Sequence, residues 1–231
     1  MTYIKKQQIT FIHGWLFGSF IWKNMQKYFN NIAHCNFVTL CGYSTNNAKC
    51  DDYEIINNSL KLQNDNDILL AYSYSASLIL SSKNLESCKG NIFLINPFFK
   101  IKKNSIDKLI LEIQDDTDTC IKKFIYESTK GDGYHKKNYA NLYKLFKDNF
   151  IPSKDSLCSG LTNLKNINSK PLLIKNTKKL HIIQTTADQI TDLDYLFNFE
   201  KQGVNTYRLE RLTHYPFFDF DKIYDIIKDR I

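Results

Sequence analysis

No apolar run in this 231-residue chain approaches the ~18 residues of a membrane-spanning helix, so none is expected. Met1-Thr2-Tyr3-Ile4-Lys5-Lys6-Gln7-Gln8 carries no apolar secretion signal. The cysteines, at 35, 41, 50, 88, 120 and 158, show neither CxxC nor Cys/His metal spacing. With no export signal, they are expected as reduced thiols in a cytoplasmic protein. P-loop, GxGxxG and internal repeats are also missing. Neither a metal nor a cofactor is expected.

What is present supports a real core: 43% of residues are hydrophobic and 14% aromatic. The length suits one sizeable domain and is too short for two large ones. A monomer is expected. The net charge of +7 is uneven. Between Thr119 and Lys147 there are seven lysines (122, 123, 130, 136, 137, 144, 147) against Glu127 and Asp132. Such a surface favours an acidic partner, the alternative being a solvated helix face. It lacks the aromatic interleaving or recognised motif of a nucleic-acid binder.

Apolar and polar patterning places strands at Ile9–Ile12, Phe37–Leu40, Asp67–Ala71, Asn91–Ile95, Leu180–Gln184 and Asn205–Leu209, with helical segments between. Ser19–Phe29 reads as amphipathic, Tyr53–Leu62 and Tyr74–Ser82 as helices, and Tyr215–Ile231 as a closing helical segment. Strands alternating with helices imply an α/β fold, a parallel sheet covered on both faces. Residues 98–169 are charged and helical, which reads as a lid inserted into a core of residues 1–97 and 170–231.

The third strand runs into Ala71-Tyr72-Ser73-Tyr74-Ser75, small-x-Ser-x-small, the pattern of a strained strand-to-helix turn that exposes a serine hydroxyl. Ser75, in Ser73-Tyr74-Ser75-Ala76-Ser77, fits the pattern as well. A serine nucleophile needs an acid and a histidine further along, in that order. Asp188 lies in the turn after Leu180–Gln184, where ligand sites of open α/β sheets form. Its alternative is a helix cap, a role that suits Asp192 better. His214 lies between the last strand and the last helix, whereas His181 sits inside a strand. That order selects Ser73, Asp188 and His214 as catalytic candidates. The oxyanion hole would combine the Tyr74 amide with the Trp15 amide from His13-Gly14-Trp15-Leu16, where Gly14 permits a tight turn. His13 reads as a turn residue that does not touch substrate.

With these residues in place, the chain resembles the α/β-hydrolase superfamily, and within it the BioH-type pimeloyl-[acyl-carrier protein] methyl ester esterases of biotin synthesis. The likeness rests on Phe11-Ile12-His13-Gly14-Trp15 followed by Trp22, on the serine turn, on Gly160-Leu161 and Leu164 before Ile167-Asn168, and on Thr213-His214-Tyr215-Pro216-Phe217. It implies a serine esterase acting on the methyl ester of a pimeloyl group held by an acyl carrier protein. It also implies substrate contacts at Trp15, Trp22, Phe124 and Ser128. Lys123 and Lys136 fall on the family's carrier-binding positions. Lys122, Lys137 and Lys144 lie nearby, while Thr119 and Ala140 replace two further basic residues. Ala71 and Ser75 stand where the family has glycines, no glycine precedes His214, and six strands are expected rather than eight. A short-chain carboxylesterase without a carrier, and a non-catalytic binding protein of the same fold, remain open.

Overall fold

Strands β1 (Gln8–Ile12), β2 (His34–Val38), β3 (Ile68–Tyr72), β4 (Asn91–Ile95), β5 (Leu180–Thr185) and β6 (Asn205–Leu209) form one parallel sheet. Their order is β2-β1-β3-β4-β5-β6. The computed structural model describes residues 6–44, 50–99, 103–131, 133–149, 151–167, 177–191 and 195–231. Every residue of β3 and β5 is buried, as expected of strands covered on both faces. The chain reverses direction in the order of strands beside β1, so β1 and β3 carry adjacent loops at one end of the sheet.

Helices α1 (Gln26–Phe29), α2 (Asp52–Lys61) and α3 (Tyr74–Ser81) precede β4. Among the described residues, four α-helices follow it before β5: α4 (Lys103–Asp115), α5 (Thr117–Thr129), α6 (His135–Lys147) and α7 (Lys154–Asn166). Helices α8 (Leu196–Lys201) and α9 (Asp221–Ile227) flank β6. The side chains of Asp51, Asp116 and Ser153 accept N–H bonds at the starts of α2, α5 and α7, which fixes where those helices begin.

Several boundaries differ from the expectation. β2 starts at His34, three residues earlier, because its pairing with β1 recruits polar His34, Cys35 and Asn36 at the sheet edge. Ser19–Phe29 splits into a short 3₁₀ turn (Ser19–Trp22) and α1. The closing segment splits at Phe220 into a 3₁₀ turn (Pro216–Asp219) and α9, with Pro216 at the start of the turn. Asp192 and Asn168 lie outside the described residues.

The cysteine expectation needs correction. Cys41 and Cys50 are joined by a disulfide, and Cys35, Cys88, Cys120 and Cys158 are free thiols. Cys41 follows β2 and Cys50 precedes α2, and nothing in their spacing announced the bond. Among the described residues no helix is long and apolar enough to cross a membrane, and no His/Cys/Asp/Glu cluster could hold a metal.

Candidate active site

β3 ends at Tyr72 and α3 begins at Tyr74, so Ser73 alone makes the turn. It does so at φ 54°, ψ −109°, a region a side chain rarely occupies. The turn is held by the Ser73 N–H donating to Ile95 O on β4 (2.8 Å). Ala71 and Ser75 are both fully buried beside it. Ser75 faces away: its hydroxyl donates to Ile12 O (3.0 Å) and receives the Tyr72 N–H (3.2 Å). That ties β3 to β1 and leaves Ser73 as the serine next to a histidine.

Ser73 Oγ lies 3.0 Å from His214 Nε2, and His214 Nδ1 lies 2.8 Å from Asp188 Oδ2. The Asp188 and His214 side chains are fully buried. Asp188 also accepts the Ile190 N–H (2.7 Å), the Thr191 N–H (3.1 Å) and the Thr191 hydroxyl. Burial alone would raise its carboxyl pKa; the attraction of His214 when it is protonated and its hydrogen bond, with those donors, outweigh this and hold it below the ordinary value. An ionised Asp188 fixes the proton on His214 Nδ1 and leaves Nε2 free to accept from Ser73.

The histidine loop is anchored by residues the sequence did not single out. Tyr72 OH and Asn96 Nδ2 both donate to His214 O (3.0 and 2.9 Å). Asn96, at φ 48°, accepts the Thr185 N–H through Oδ1 (2.9 Å), so one amide joins the ends of β4 and β5 to the histidine loop. Its place directly after β4, before Pro97, was the available signal.

Across from Ser73, the loop after β1 carries Gly14 and Trp15. A Cβ on Gly14 would sit 2.8 Å from the Tyr72 ring and 3.2 Å from Ser73 Cβ, so glycine is needed there for close approach. The left-handed residue of this loop is Leu16 (φ 70°), whose N–H donates to Tyr43 OH (2.8 Å). Among the described residues neither the Trp15 nor the Tyr74 N–H donates a hydrogen bond, and the latter opens α3, where first-turn donors lack helix partners. His13 is fully buried and its Nε2 accepts the Leu40 N–H (3.0 Å), which leaves the proton on Nδ1, 2.9 Å from Gly14 O. Burial lowers its pKa to about 4, so it is a neutral strut of the loop.

A cavity of about 220 Å³ opens onto Ser73, lined mainly by apolar side chains including Trp15, Phe98, Ile106, Leu109, Phe124 and Leu161. Phe124 of α5 meets the Trp15 ring edge-on (centroids 4.9 Å apart). Two expected substrate contacts lie elsewhere. Trp22 is fully buried between Phe11 and Phe217, where bulky aromatics close the core beneath β1. Ser128 is fully buried, its hydroxyl bonded to Phe124 O (2.8 Å) and its carbonyl to the Tyr215 N–H (2.9 Å). Neither lines the cavity.

The lysines of α5 and α6 divide in two. Lys122 pairs with Asp118 and Lys123 with Glu112. Lys136, Lys137 and Lys144 are exposed and make no ion pair among the described residues. Lys137 lines an open groove of about 740 Å³ beside the histidine loop, together with Tyr134, Arg211, Phe218 and Lys222.

No family model matches the chain. The pimeloyl-[acyl-carrier protein] methyl ester esterase of Wigglesworthia glossinidia brevipalpis is 27% identical over 177 residues, covering 71% of this chain and 68% of that protein. Among solved structures, a thermophilic esterase from Thermogutta terrifontis superposes with a TM-score of 0.76 at 10% identity, over 97% of this chain and 89% of that one. MenH from S. aureus superposes at 0.67 with 14% identity, over 99% and 94%. At these identities the structural likeness shows the fold, that of the α/β-hydrolases.

Proposed function

We propose that the chain, which has the α/β-hydrolase fold, is a carboxylic ester hydrolase in which Ser73, His214 and Asp188 cleave the methyl ester of a pimeloyl group carried by an acyl carrier protein. The observation that carries the reading is the buried chain Ser73 Oγ–His214–Asp188, opening onto an apolar cavity.

His214 Nε2 takes the Ser73 proton as Oγ attacks the ester carbonyl. The Trp15 and Tyr74 amides stabilise the oxyanion of the tetrahedral intermediate. His214 returns the proton to the departing methoxide, and methanol leaves. A water molecule, deprotonated by His214, then attacks the acyl-enzyme; Ser73 recovers its proton and the free carboxylic acid departs. Trp15, Phe98 and Phe124 give the alkyl chain an apolar bed. The alternative nucleophile Ser75 is committed to the sheet, and the expected substrate contacts Trp22 and Ser128 to packing.

For the carrier, the exposed cations Lys136, Lys137 and Lys144 are better placed to take acidic side chains than Lys122 and Lys123, whose charge Asp118 and Glu112 already meet. That partial neutralisation also favours a second reading, a carboxylesterase for small esters with no carrier. The two separate on one assay. Methyl pimeloyl-carrier protein and p-nitrophenyl acetate are compared as salt rises. A carrier esterase loses kcat/KM on the first substrate only; equal, flat responses favour the small-ester reading.

A further inference from the structure

The two residues whose amides are read as the oxyanion hole have side chains tied to one face of α7. The Trp15 indole N–H donates to Leu157 O (2.9 Å). Asn163 Nδ2 donates to the Tyr74 hydroxyl (3.0 Å), which in turn donates to Asp52 Oδ2 (2.6 Å). Leu157, Gly160 and Asn163 are spaced three apart, so they share a face of the helix. Gly160 lies between the two rings: a Cβ there would sit 2.9 Å from Trp15 Cδ1 and 3.8 Å from Tyr74 Cζ. α7 can approach both rings because position 160 has no side chain.

Asp52 completes the arrangement from the other side. It is a buried carboxylate that the ester chemistry does not use, and its second oxygen accepts the Cys41 N–H (2.8 Å). Burial raises its pKa, against the opposing hydrogen bonds from Tyr74 and Cys41. A buried carboxylate costs stability unless it is hydrogen-bonded, and both oxygens of Asp52 are met, one by the Tyr74 hydroxyl and one by the Cys41 N–H.

We propose that α7 is a clamp: Asn163, through the Tyr74 hydroxyl held by Asp52, and Leu157, through the Trp15 indole, set the spacing of the two oxyanion amides. Gly160 is the opening that lets the clamp close. Asn163, Gly160 and Asp52 are positioning residues, because they act on the reacting atoms only through Trp15 and Tyr74. The inference rests on the oxyanion-hole reading above. Catalysis is sensitive to such placement, a 1 Å error costing on the order of a hundredfold.

The test is Asn163→Ala, with Tyr74→Phe, the double variant, and the exposed Thr162→Ala on the same helix as a control. Each is measured for p-nitrophenyl acetate hydrolysis and for affinity toward a trifluoromethyl ketone, which forms a tetrahedral oxyanion adduct with an active serine. The expected result is a fall in kcat of about tenfold for Asn163→Ala with KM unchanged, matched by an equal loss of ketone affinity. Thr162→Ala keeps the wild-type values. The double variant is no slower than Tyr74→Phe alone, since Asn163 acts through that hydroxyl. Unchanged ketone affinity in Asn163→Ala, or additive losses in the double variant, would overturn the clamp. Ser73→Ala, run in parallel, separates the two failures: retained wild-type turnover there removes the serine-nucleophile reading on which the oxyanion hole depends, whereas an inactive Ser73→Ala beside unchanged ketone affinity in Asn163→Ala overturns the clamp.

Discussion

Ser73 Oγ and His214 Nε2 stand 3.0 Å apart although 141 positions separate them in the chain. The parallel sheet makes this possible. β3 and β4 pair in register up to Tyr72 and Ile95, and β4 and β5 up to Ile95 and Ile183, so the loops after β3, β5 and β6 open at one edge. The strained Ser73 turn and the Asn96 anchor of the histidine loop then fix the two side chains.

Removing Ser73, His214 or Asp188 should lower kcat by several orders of magnitude on any ester substrate, with the fold intact by circular dichroism. Ser75→Ala should behave differently. It loses a buried hydrogen bond to Ile12 O, which costs about 1 kcal/mol of stability, and it keeps a working nucleophile. Loss of turnover in a folded Ser75→Ala enzyme would reverse the assignment.

Stability should fall as pH drops from 6.5 towards 4. His13 and His181 have folded pKa values near 4, lowered from 6.5 by burial. The unfolded chain binds those protons first, so stability is full above 6.5 and is lost through the window down to 4. For the fully buried His13 the loss is on the order of 3 kcal/mol. Asp188, with a lowered pKa, adds a further loss below its unfolded value of about 4. Melting temperature against pH should therefore slope downward from neutral to acid, and His181→Gln should flatten part of the slope. An unchanged slope in that variant contradicts the assignment of His181.

Charge reversal should sort the lysines. Lys136→Glu and Lys137→Glu should weaken kcat/KM for a carrier-borne ester several-fold and leave p-nitrophenyl acetate alone, with the effect fading in high salt. Lys123→Glu should do less, since Glu112 already neutralises Lys123. Equal losses on both substrates would remove the carrier from the account.

Thiol titration of the denatured, unreduced protein should count four cysteines, Cys35, Cys88, Cys120 and Cys158. Six would contradict the Cys41–Cys50 bond. Cys41→Ser should lower the melting temperature, since the bond closes the loop that presents the Cys41 N–H to Asp52.

The sheet was legible in the sequence because its central strands are apolar runs, and Asn91–Ile95 has the boundaries read from the pattern, as does the more polar edge strand Asn205–Leu209. β2 was misplaced by three residues because an edge strand needs no apolar run, only the pairing of His34 with Gln8. Ser73, Asp188 and His214 stood out by their order, and the structure places them together. Asp52, Tyr43, Asn96 and Asn163 did not, since each matters only through a partner distant in sequence. Trp22 shows the reverse error: an aromatic matched to a family position that packs against Phe11 and Phe217.

The central claim is that Ser73 is a nucleophile activated by His214. Its most direct test is a fluorophosphonate reacted with the native protein and mapped by peptide mass spectrometry. One adduct per chain is expected, on Ser73, absent in Ser73→Ala and strongly slowed in His214→Ala. No adduct, or one on Ser75, would contradict it.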